Sequence, residues 1–178
     1  MEVLFIAALL GFLAFIVPLT AFVFLLWFLL LPIIKGAPFV PSEAKTVEKM
    51  IELAKIKPGE HVVDLGSGDG RFLIAVAQKG IEAHGYEINP LLVWWTRRRI
   101  RKAGMQKRAF AHWKSFWRVD YSSFDVVLIF GIFYIMRRLE KKLREELKPG
   151  ARVVSNAFTF PTWVPEKKEG GVYLYRQT

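Results

Sequence analysis

Hydrophobic positions divide the chain into an uninterrupted apolar N-terminus and a longer region in which apolar and polar segments alternate. Residues 3–34 contain no charged side chain and are rich in Leu, Phe, Ile and Val. As a helix they would extend roughly 48 Å, at ~1.5 Å per residue, against a hydrocarbon core of ~30 Å. A cleaved signal peptide has a shorter apolar core that follows a positive charge. We therefore predict a retained transmembrane anchor over residues 1–34.

Basic residues flank this segment only on its C-terminal side. The lysines that follow it first are Lys35, Lys45, Lys49 and Lys55, and no Lys or Arg precedes it. The positive-inside rule then predicts a single-pass protein whose domain after the anchor is cytoplasmic. Ala7, Gly11 and Ala14 lie on nearly one face of the helix and would permit self-association, although small residues are also ordinary in membrane helices.

After the anchor, the pattern predicts a linker with one helix over residues 35–60 and an α/β domain over residues 61–178. Ser42 can cap a helix that continues to about Ala54, with Val47, Met50 and Ile51 on its buried face. Short apolar runs then alternate with amphipathic segments, which is typical of a Rossmann-like sheet. An aromatic loop, 158–165, follows the fifth strand in place of a helix and a hairpin. We expect an abbreviated sheet of about six strands.

The segment 61–72, HVVDLGSGDGRF, is predicted to form a strand, a glycine turn and the start of a helix. Glycine lets the backbone approach a ligand, and the helix N-terminus offers unpaired N–H groups. The GxGxG spacing differs from the GxGxxG of dinucleotide sites. Asp64 and Asp69 add negative charge that would repel a phosphate. These features favour a ligand with a cationic centre and hydroxyls, and S-adenosylmethionine fits.

A second acid supports this cofactor. The strand that begins at Ala83 ends in Glu87, about 17 residues past the turn, where a carboxylate can accept both ribose hydroxyls. Ser42 could close over the ligand by donating to its carboxylate. A glycine turn without a ligand is the alternative interpretation. The residues assigned to the cofactor site are Asp64, Gly66, Ser67, Gly68, Asp69, Gly70, Glu87, Asn89, Ser42 and Phe130.

Positive charge is concentrated in residues 91–119, which contain no acid in a chain of formal net charge +10. Basic residues mixed with tryptophan suit an anionic lipid surface, a nucleic-acid backbone, or a solvated face over core tryptophans. The apolar N-terminus favours the lipid surface. The chain has no cysteine, which excludes thiolate catalysis and Cys-ligated metals, and its three histidines lack the spacing of a metal site.

Four segments together carry a resemblance to a known family: VDLGSGDGRF, GYEINPLLVWW, DVVLIFG and ARVVSNAFTFPTW. The chain resembles the membrane-anchored seven-strand lysine methyltransferases, which include the mitochondrial enzymes acting on the ATP synthase c-subunit and on the adenine nucleotide translocase. The resemblance covers roughly residues 38–165 and implies that Asp64, the three glycines of the turn and Glu87 bind S-adenosylmethionine. A Pro-Gln pair expected after the fourth strand is replaced by Ile132-Phe133.

The resemblance implies methyl transfer to a lysine ε-amine of a membrane protein. An aromatic, partly dehydrated cleft would favour the neutral amine that attacks. Asp120 and Tyr134 are candidates for the proton acceptor. Candidate walls of the cleft are Phe39, Trp117, Phe133, Tyr134 and Trp163, with Phe130 beside the methyl group. The alternatives are a lipid or quinone methyltransferase, an RNA or DNA methyltransferase, disfavoured by the missing Pro-Pro-Tyr signature, and a non-catalytic membrane scaffold.

Overall fold

The computed structural model describes residues 1–35 and 43–178, without the side chains of residues 3, 4, 8 and 27–35. The chain forms two compact units, Met1–Pro38 and Phe39–Thr178. The first contains one helix, α1 (Glu2–Lys35), whose described side chains are almost all exposed. Its segment Phe5–Leu26, with a mean hydropathy of 2.7, is long and apolar enough to span a membrane. This helix is therefore a candidate span by length and composition.

The second unit, called the sheet unit below, is a mixed seven-stranded sheet with helices on both faces. Its strands are β1 (His61–Leu65), β2 (Glu82–Glu87), β3 (Ala109–Trp113), β4 (Val126–Ile129), β5 (Arg152–Asn156), β6 (Lys167–Glu169) and β7 (Val172–Arg176). Its helices are α2 (Ala44–Ala54), α3 (Arg71–Gln78), α4 (Pro90–Lys102) and α5 (Phe133–Glu146), with a short 3-10 turn at Phe116–Arg118. The strand order is β3-β2-β1-β4-β5-β7-β6. Strands β1 to β5 pair in parallel, and β7 is antiparallel to both β5 and β6.

The predicted α/β sheet is confirmed, but its strand count was wrong. There are seven strands rather than about six, because β6 and β7 form a hairpin through Gly170 and Gly171, both with positive φ. Strand β6 (KKE) is exposed along its whole length, so it carries no hydrophobic pattern that could have revealed it. The predicted count includes a third strand but gives it no bounds, because β3 lies inside the basic stretch 91–119. Within residues 43–178 no helix follows β5, as expected, but the predicted absence of a hairpin is wrong, because β6 and β7 form one.

Apolar clusters on the two faces of the sheet explain why these segments fold together. Helices α2, α3 and α4 cover one face, and the predicted buried face of α2, including Val47, Met50 and Ile51, is confirmed. Helix α5 covers the other face through Leu139 and Leu143, both fully buried. Each such aliphatic side chain contributes about 1.5–3 kcal/mol by leaving water. The two layers fix β1 and β4 at the centre of the sheet.

Parallel pairing brings the carboxyl ends of β1, β2 and β4 to one edge of the sheet. Leu65 lies level with Tyr86 of β2 and with Ile129 of β4. The chain winds outward in opposite directions from β1 and β4, so this edge contains the topological switch point where ligands bind in open α/β sheets. The glycine turn follows β1 at this place.

Candidate active site

The glycine turn between β1 and α3 has a backbone that only glycine adopts readily. Gly66, Gly68 and Gly70 have φ of 76°, 52° and 75°, in the left-handed region. A Cβ on Gly70 would lie 2.3 Å from Cγ2 of Thr96, whereas a Cβ on Gly66 would meet nothing within 4 Å. Gly70 is therefore required by packing against α4, and Gly66 faces open space in which a ligand can lie.

The carboxylate of Glu87 lies against this turn, as its sequence position predicts. Its Oε2 accepts a hydrogen bond from the Gly68 N–H at 3.1 Å, and its Oε1 accepts one from the Asn89 N–H at 2.8 Å. The side chain is 9% exposed. Each carboxylate oxygen can accept more than one hydrogen bond. Both oxygens are thus fixed by the backbone and retain lone pairs for a ligand.

Two buried polar atoms beside the turn have no hydrogen-bond partner among the described residues: Oδ2 of Asp64 and Oγ of Ser67. Leaving such an atom unsatisfied costs about 1–3 kcal/mol, so native proteins seldom do so without a reason. Burial, and then the charges of Glu87 and Asp69, raise the pKa of Asp64 to about 8. A ligand that brings a cation and hydrogen-bonding groups would relieve both atoms, so the residues present fit S-adenosylmethionine.

Asp69 plays a different part from the one its sequence position suggested. Its carboxylate forms ion pairs with Arg71, at 2.8 Å, and with Arg99. Partial burial acts to raise the pKa of Asp69, but the hydrogen bond from Arg71 and the charges of Arg99 and Arg71 outweigh it and lower the pKa. The interpretation that Asp69 offers free negative charge to the ligand is therefore wrong, because two guanidinium groups compensate it.

Helix α4 supports the turn through two residues that the sequence analysis did not assign to the site. Thr96 Oγ1 donates to the Gly68 carbonyl at 2.8 Å, and Arg99 donates to the Asp69 carbonyl at 2.7 Å. The only signal for Thr96 and Arg99 in the sequence is their spacing, because residues three apart lie on one face of a helix. Asn89 caps the same helix, since its Oδ1 accepts from Leu91 N at 3.0 Å.

Three other residues were predicted to bind the cofactor: Phe130, Asn89 and Ser42. Phe130 is half-buried and follows Ile129, the last residue of β4. Asn89 contacts Glu87 through its backbone N–H, while its side chain is used in the helix cap. Ser42 and Phe39 lie outside the described residues. The structure thus brings together Asp64, Ser67, Glu87 and the glycine turn.

The predicted aromatic cleft is only partly assembled from the expected side chains. Phe133 and Tyr134 begin α5 at the carboxyl edge of the sheet, and their side chains are 77% and 49% exposed. Their rings pack edge to face, with ring centres 5.5 Å apart. Trp117 is half-buried, with the Arg138 guanidinium 4.4 Å above its ring. Trp163 is 7% exposed and packs on Tyr175. Trp163 is thus a core residue and not a cleft wall, because the loop after β5 packs over α5 and β7, which no helix covers at this place.

Asp120 is a poor candidate for the proton acceptor. It lies exposed in a loop, and its Oδ1 accepts a hydrogen bond from the Ser122 N–H at 2.9 Å. Hydrogen bonds from Ser122 lower the pKa of Asp120. A carboxylate with a lowered pKa binds a proton weakly.

Comparison with solved structures identifies the fold. The crystal structure of an RNA methyltransferase from Salinibacter ruber in complex with S-adenosyl-L-homocysteine superposes with a TM-score of 0.72 at 33% identity, covering 78% of this chain and 92% of that one. A SAM-dependent methyltransferase from Thiobacillus denitrificans, also bound to S-adenosyl-L-homocysteine, has a TM-score of 0.55 at 22% identity over 69% of this chain and 53% of that one. The sheet unit has the class I methyltransferase fold.

Comparison with curated proteins identifies the family. An ATP synthase c-subunit lysine N-methyltransferase of Mus musculus is 44% identical over 133 residues, which are 75% of this chain and 53% of the relative. A protein-lysine N-methyltransferase of Saccharolobus islandicus (strain REY15A) is 39% identical over 148 residues, or 78% of this chain and 92% of the relative. The chain spans 53% to 61% of the length of the mammalian and Xenopus laevis c-subunit methyltransferases. The family model described as the ANTKMT methyltransferase domain matches residues 64–167, more than half of the chain, which therefore belongs to that family.

Proposed function

We propose that this protein binds S-adenosylmethionine at the glycine turn and transfers its methyl group to the ε-amine of a lysine on a membrane protein. One observation carries the cofactor assignment. The Glu87 carboxylate is fixed against the turn by the Gly68 and Asn89 N–H groups, next to two buried polar atoms that have no partner among the described residues, Asp64 Oδ2 and Ser67 Oγ.

Each of these groups has a counterpart in the cofactor. Glu87 would accept hydrogen bonds from the ribose hydroxyls, since both its oxygens retain lone pairs. Asp64 would face the positively charged part, because a nearby cation favours the ionised carboxylate whose pKa is otherwise raised to about 8. The space in front of Gly66 admits close approach to the backbone. The cofactor itself supplies a methyl group on a cationic sulfur.

Support for a lysine substrate comes from the relatives. Proteins between 39% and 44% identical to this chain are named as lysine methyltransferases of the ATP synthase c-subunit, of the adenine nucleotide translocase or of unspecified proteins. An attacking lysine must be neutral, and a partly dehydrated aromatic surface lowers its pKa. Phe133 and Tyr134 provide an aromatic surface at the edge of the sheet that carries the turn.

Support for a membrane-bound substrate comes from α1. Residues Phe5–Leu26 can span a bilayer, and the lysines that follow favour a single-pass protein whose catalytic unit, residues 61–178, faces the cytoplasm. An anchored enzyme meets targets confined to the same membrane. Self-association through Ala7, Gly11 and Ala14 is part of the same proposal and would bring two catalytic units together.

The test is radiolabelled methyl transfer to membranes of the expression host, followed by separation into protein, lipid and RNA. We expect label in a protein band, with methyl-lysine identified by mass spectrometry. Glu87→Ala should abolish the label, and Glu82→Ala, an exposed acid on the same strand, should retain it. Label in the lipid fraction would instead favour a lipid or quinone substrate. If S-adenosylhomocysteine does not bind the wild type in calorimetry, the protein is a scaffold.

RNA is a second candidate substrate, and one observation favours it. The Salinibacter ruber protein described as an RNA methyltransferase is 33% identical and is covered over 92% of its length. The basic residues between 91 and 119 would suit a phosphate backbone. Label in the RNA fraction that resists protease would replace the lysine proposal with this one.

A further inference from the structure

Large apolar side chains that are exposed on the sheet unit gather at one edge of the sheet. Among the described residues they are Leu91, Trp94, Trp95, Trp113, Phe133, Tyr134 and Val164. Except for Val164, they belong to the end of β3 or to the first half of the helices that follow β2 and β4, α4 and α5. Four of them, Leu91, Trp94, Trp95 and Trp113, form what we call the tryptophan rim, with exposures of 60%, 55%, 57% and 66%. Exposed apolar groups gathered in this way indicate an interaction site.

Contacts with neighbouring residues hold two of the indole rings, those of Trp94 and Trp113. The Trp113 Nε1–H donates to the Ile88 carbonyl at 3.0 Å, so the polar atom of this ring is already satisfied. The Arg98 guanidinium lies 5.5 Å from the centre of the Trp94 ring. Trp94 and Trp113 also line one groove of about 670 Å³ between α4 and the edge strand β3. Trp94 and Trp113 thus belong to a preformed surface and remain exposed in it.

The charge around the rim has one sign. Arg97, Arg98, Arg101 and Lys114 are exposed beside it, and residues 91–119 contain no acid. Nearby Asp69 is held in ion pairs. Tryptophan concentrates at the interface between lipid and water, and Lys and Arg are drawn to anionic headgroups. The rim therefore has the chemistry of a surface that rests on an anionic bilayer.

We propose that the tryptophan rim docks onto the anionic headgroup layer of a phospholipid bilayer and turns the carboxyl edge of the sheet towards the membrane. The bilayer is favoured over RNA because the exposed Leu91 and indole side chains gain by leaving water, and because α1 of the same chain is a candidate span. This inference deepens the proposed function: the target lysine would lie at the depth of the headgroups, within reach of the glycine turn.

The absence of cysteine makes the test direct, because a single introduced cysteine reports one position. The full chain would be reconstituted in nanodiscs and labelled with an environment-sensitive fluorophore at Leu91→Cys or, separately, Trp95→Cys. Val164→Cys is the matched control, since Val164 is apolar and 81% exposed but lies outside the rim. Near-wild-type melting temperatures would show that each labelled variant is folded.

With discs that contain phosphatidylglycerol, emission from positions 91 and 95 should shift to the blue and be quenched by spin-labelled lipid, while position 164 stays unchanged. Discs of phosphatidylcholine alone should give a weaker response. Arg98→Gln with Arg101→Gln should lower the ratio of docked to undocked rim by about fivefold for each cation removed. The readout needs no methyl transfer, so it is independent of the proposed activity. Equal emission at 91, 95 and 164 on anionic discs, or a response to RNA alone, would overturn the proposal.

Discussion

Replacing Asp64 by asparagine should stabilise the protein while it weakens cofactor binding. The carboxyl group lies buried at the end of β1, and its Oδ2 has no partner among the described residues. Burial first, and then the charges of Glu87 and Asp69, raise its pKa from 3.8 to about 8. Asparagine has nearly the same shape but cannot ionise, so it avoids the cost of keeping this carboxyl group protonated in the folded state.

The size of this stabilisation follows from the difference between the pKa of Asp64 in the unfolded chain and its pKa in the folded protein. Between pH 3.8 and about 8 the folded protein holds a proton on Asp64 that the unfolded chain releases. The unfolded state therefore binds fewer protons, and stability falls as the pH rises through this window. At ~1.4 kcal/mol per pH unit, the loss reaches roughly 4 kcal/mol at neutral pH. We expect Asp64→Asn to recover about 2–4 kcal/mol, or roughly 5–10 °C in Tm.

Thermal unfolding in detergent, followed by near-UV circular dichroism at pH 5 and pH 8, measures this effect. The advantage of Asp64→Asn should grow between the two pH values. Asp125→Asn is the control of opposite sign. Burial acts to raise the pKa of Asp125, but hydrogen bonds from Lys148 and from the His61 N–H outweigh it and lower this pKa. Removing the Asp125 carboxylate should therefore destabilise the protein. A stability difference that does not change with pH, or an Asp64→Asn variant that is less stable at pH 8, would refute the reasoning.

Cofactor affinity should respond to the same carboxylate. Because a bound cation would favour ionised Asp64, binding should release a proton below about pH 8, and affinity should rise with pH up to that value. Calorimetry with sinefungin, a cationic analogue, in buffers of different ionisation enthalpy would count this proton. Asp64→Asn should remove both the proton release and the pH dependence. Unchanged proton release in that variant would assign the effect to another group.

Three further substitutions test the parts of the site. Glu87→Gln should weaken S-adenosylhomocysteine binding about 10- to 100-fold in calorimetry, because hydrogen bonds to a charged acceptor contribute ~1.5–3 kcal/mol; equal affinity would exclude Glu87 from the site. Gly70→Ala should lower Tm much more than Gly66→Ala, since its Cβ would lie 2.3 Å from Thr96 whereas both positions share the left-handed backbone; equal losses would contradict the packing argument. Thr96→Val should cost about 1–3 kcal/mol in chemical unfolding by leaving the Gly68 carbonyl unsatisfied, and an unchanged midpoint would refute that role.

Local patterns in the sequence were sufficient for most of the fold. The alternation of buried strands and amphipathic helices predicted the α/β sheet, and Asn89-Pro90 is a local signal for the start of α4. These predictions succeed because the signals are local: apolar periodicity, a capping side chain and glycines that adopt positive φ. Strand β6 was not predicted because it has no such local signal. Lys167 and its neighbours are exposed, and they form a strand by pairing with β7 rather than by burial.

The sequence by itself determined the anchor-like helix, the glycine turn and the acid at the end of β2, because each is specified by residues close together in the chain. Only the tertiary structure decided what those residues contact. It paired Asp69 with Arg71 and Arg99, left Oδ2 of Asp64 without a hydrogen-bond partner among the described residues, and placed Trp163 in the core. Whether a charge is compensated or a ring is buried depends on neighbours many residues away, which close packing alone brings together.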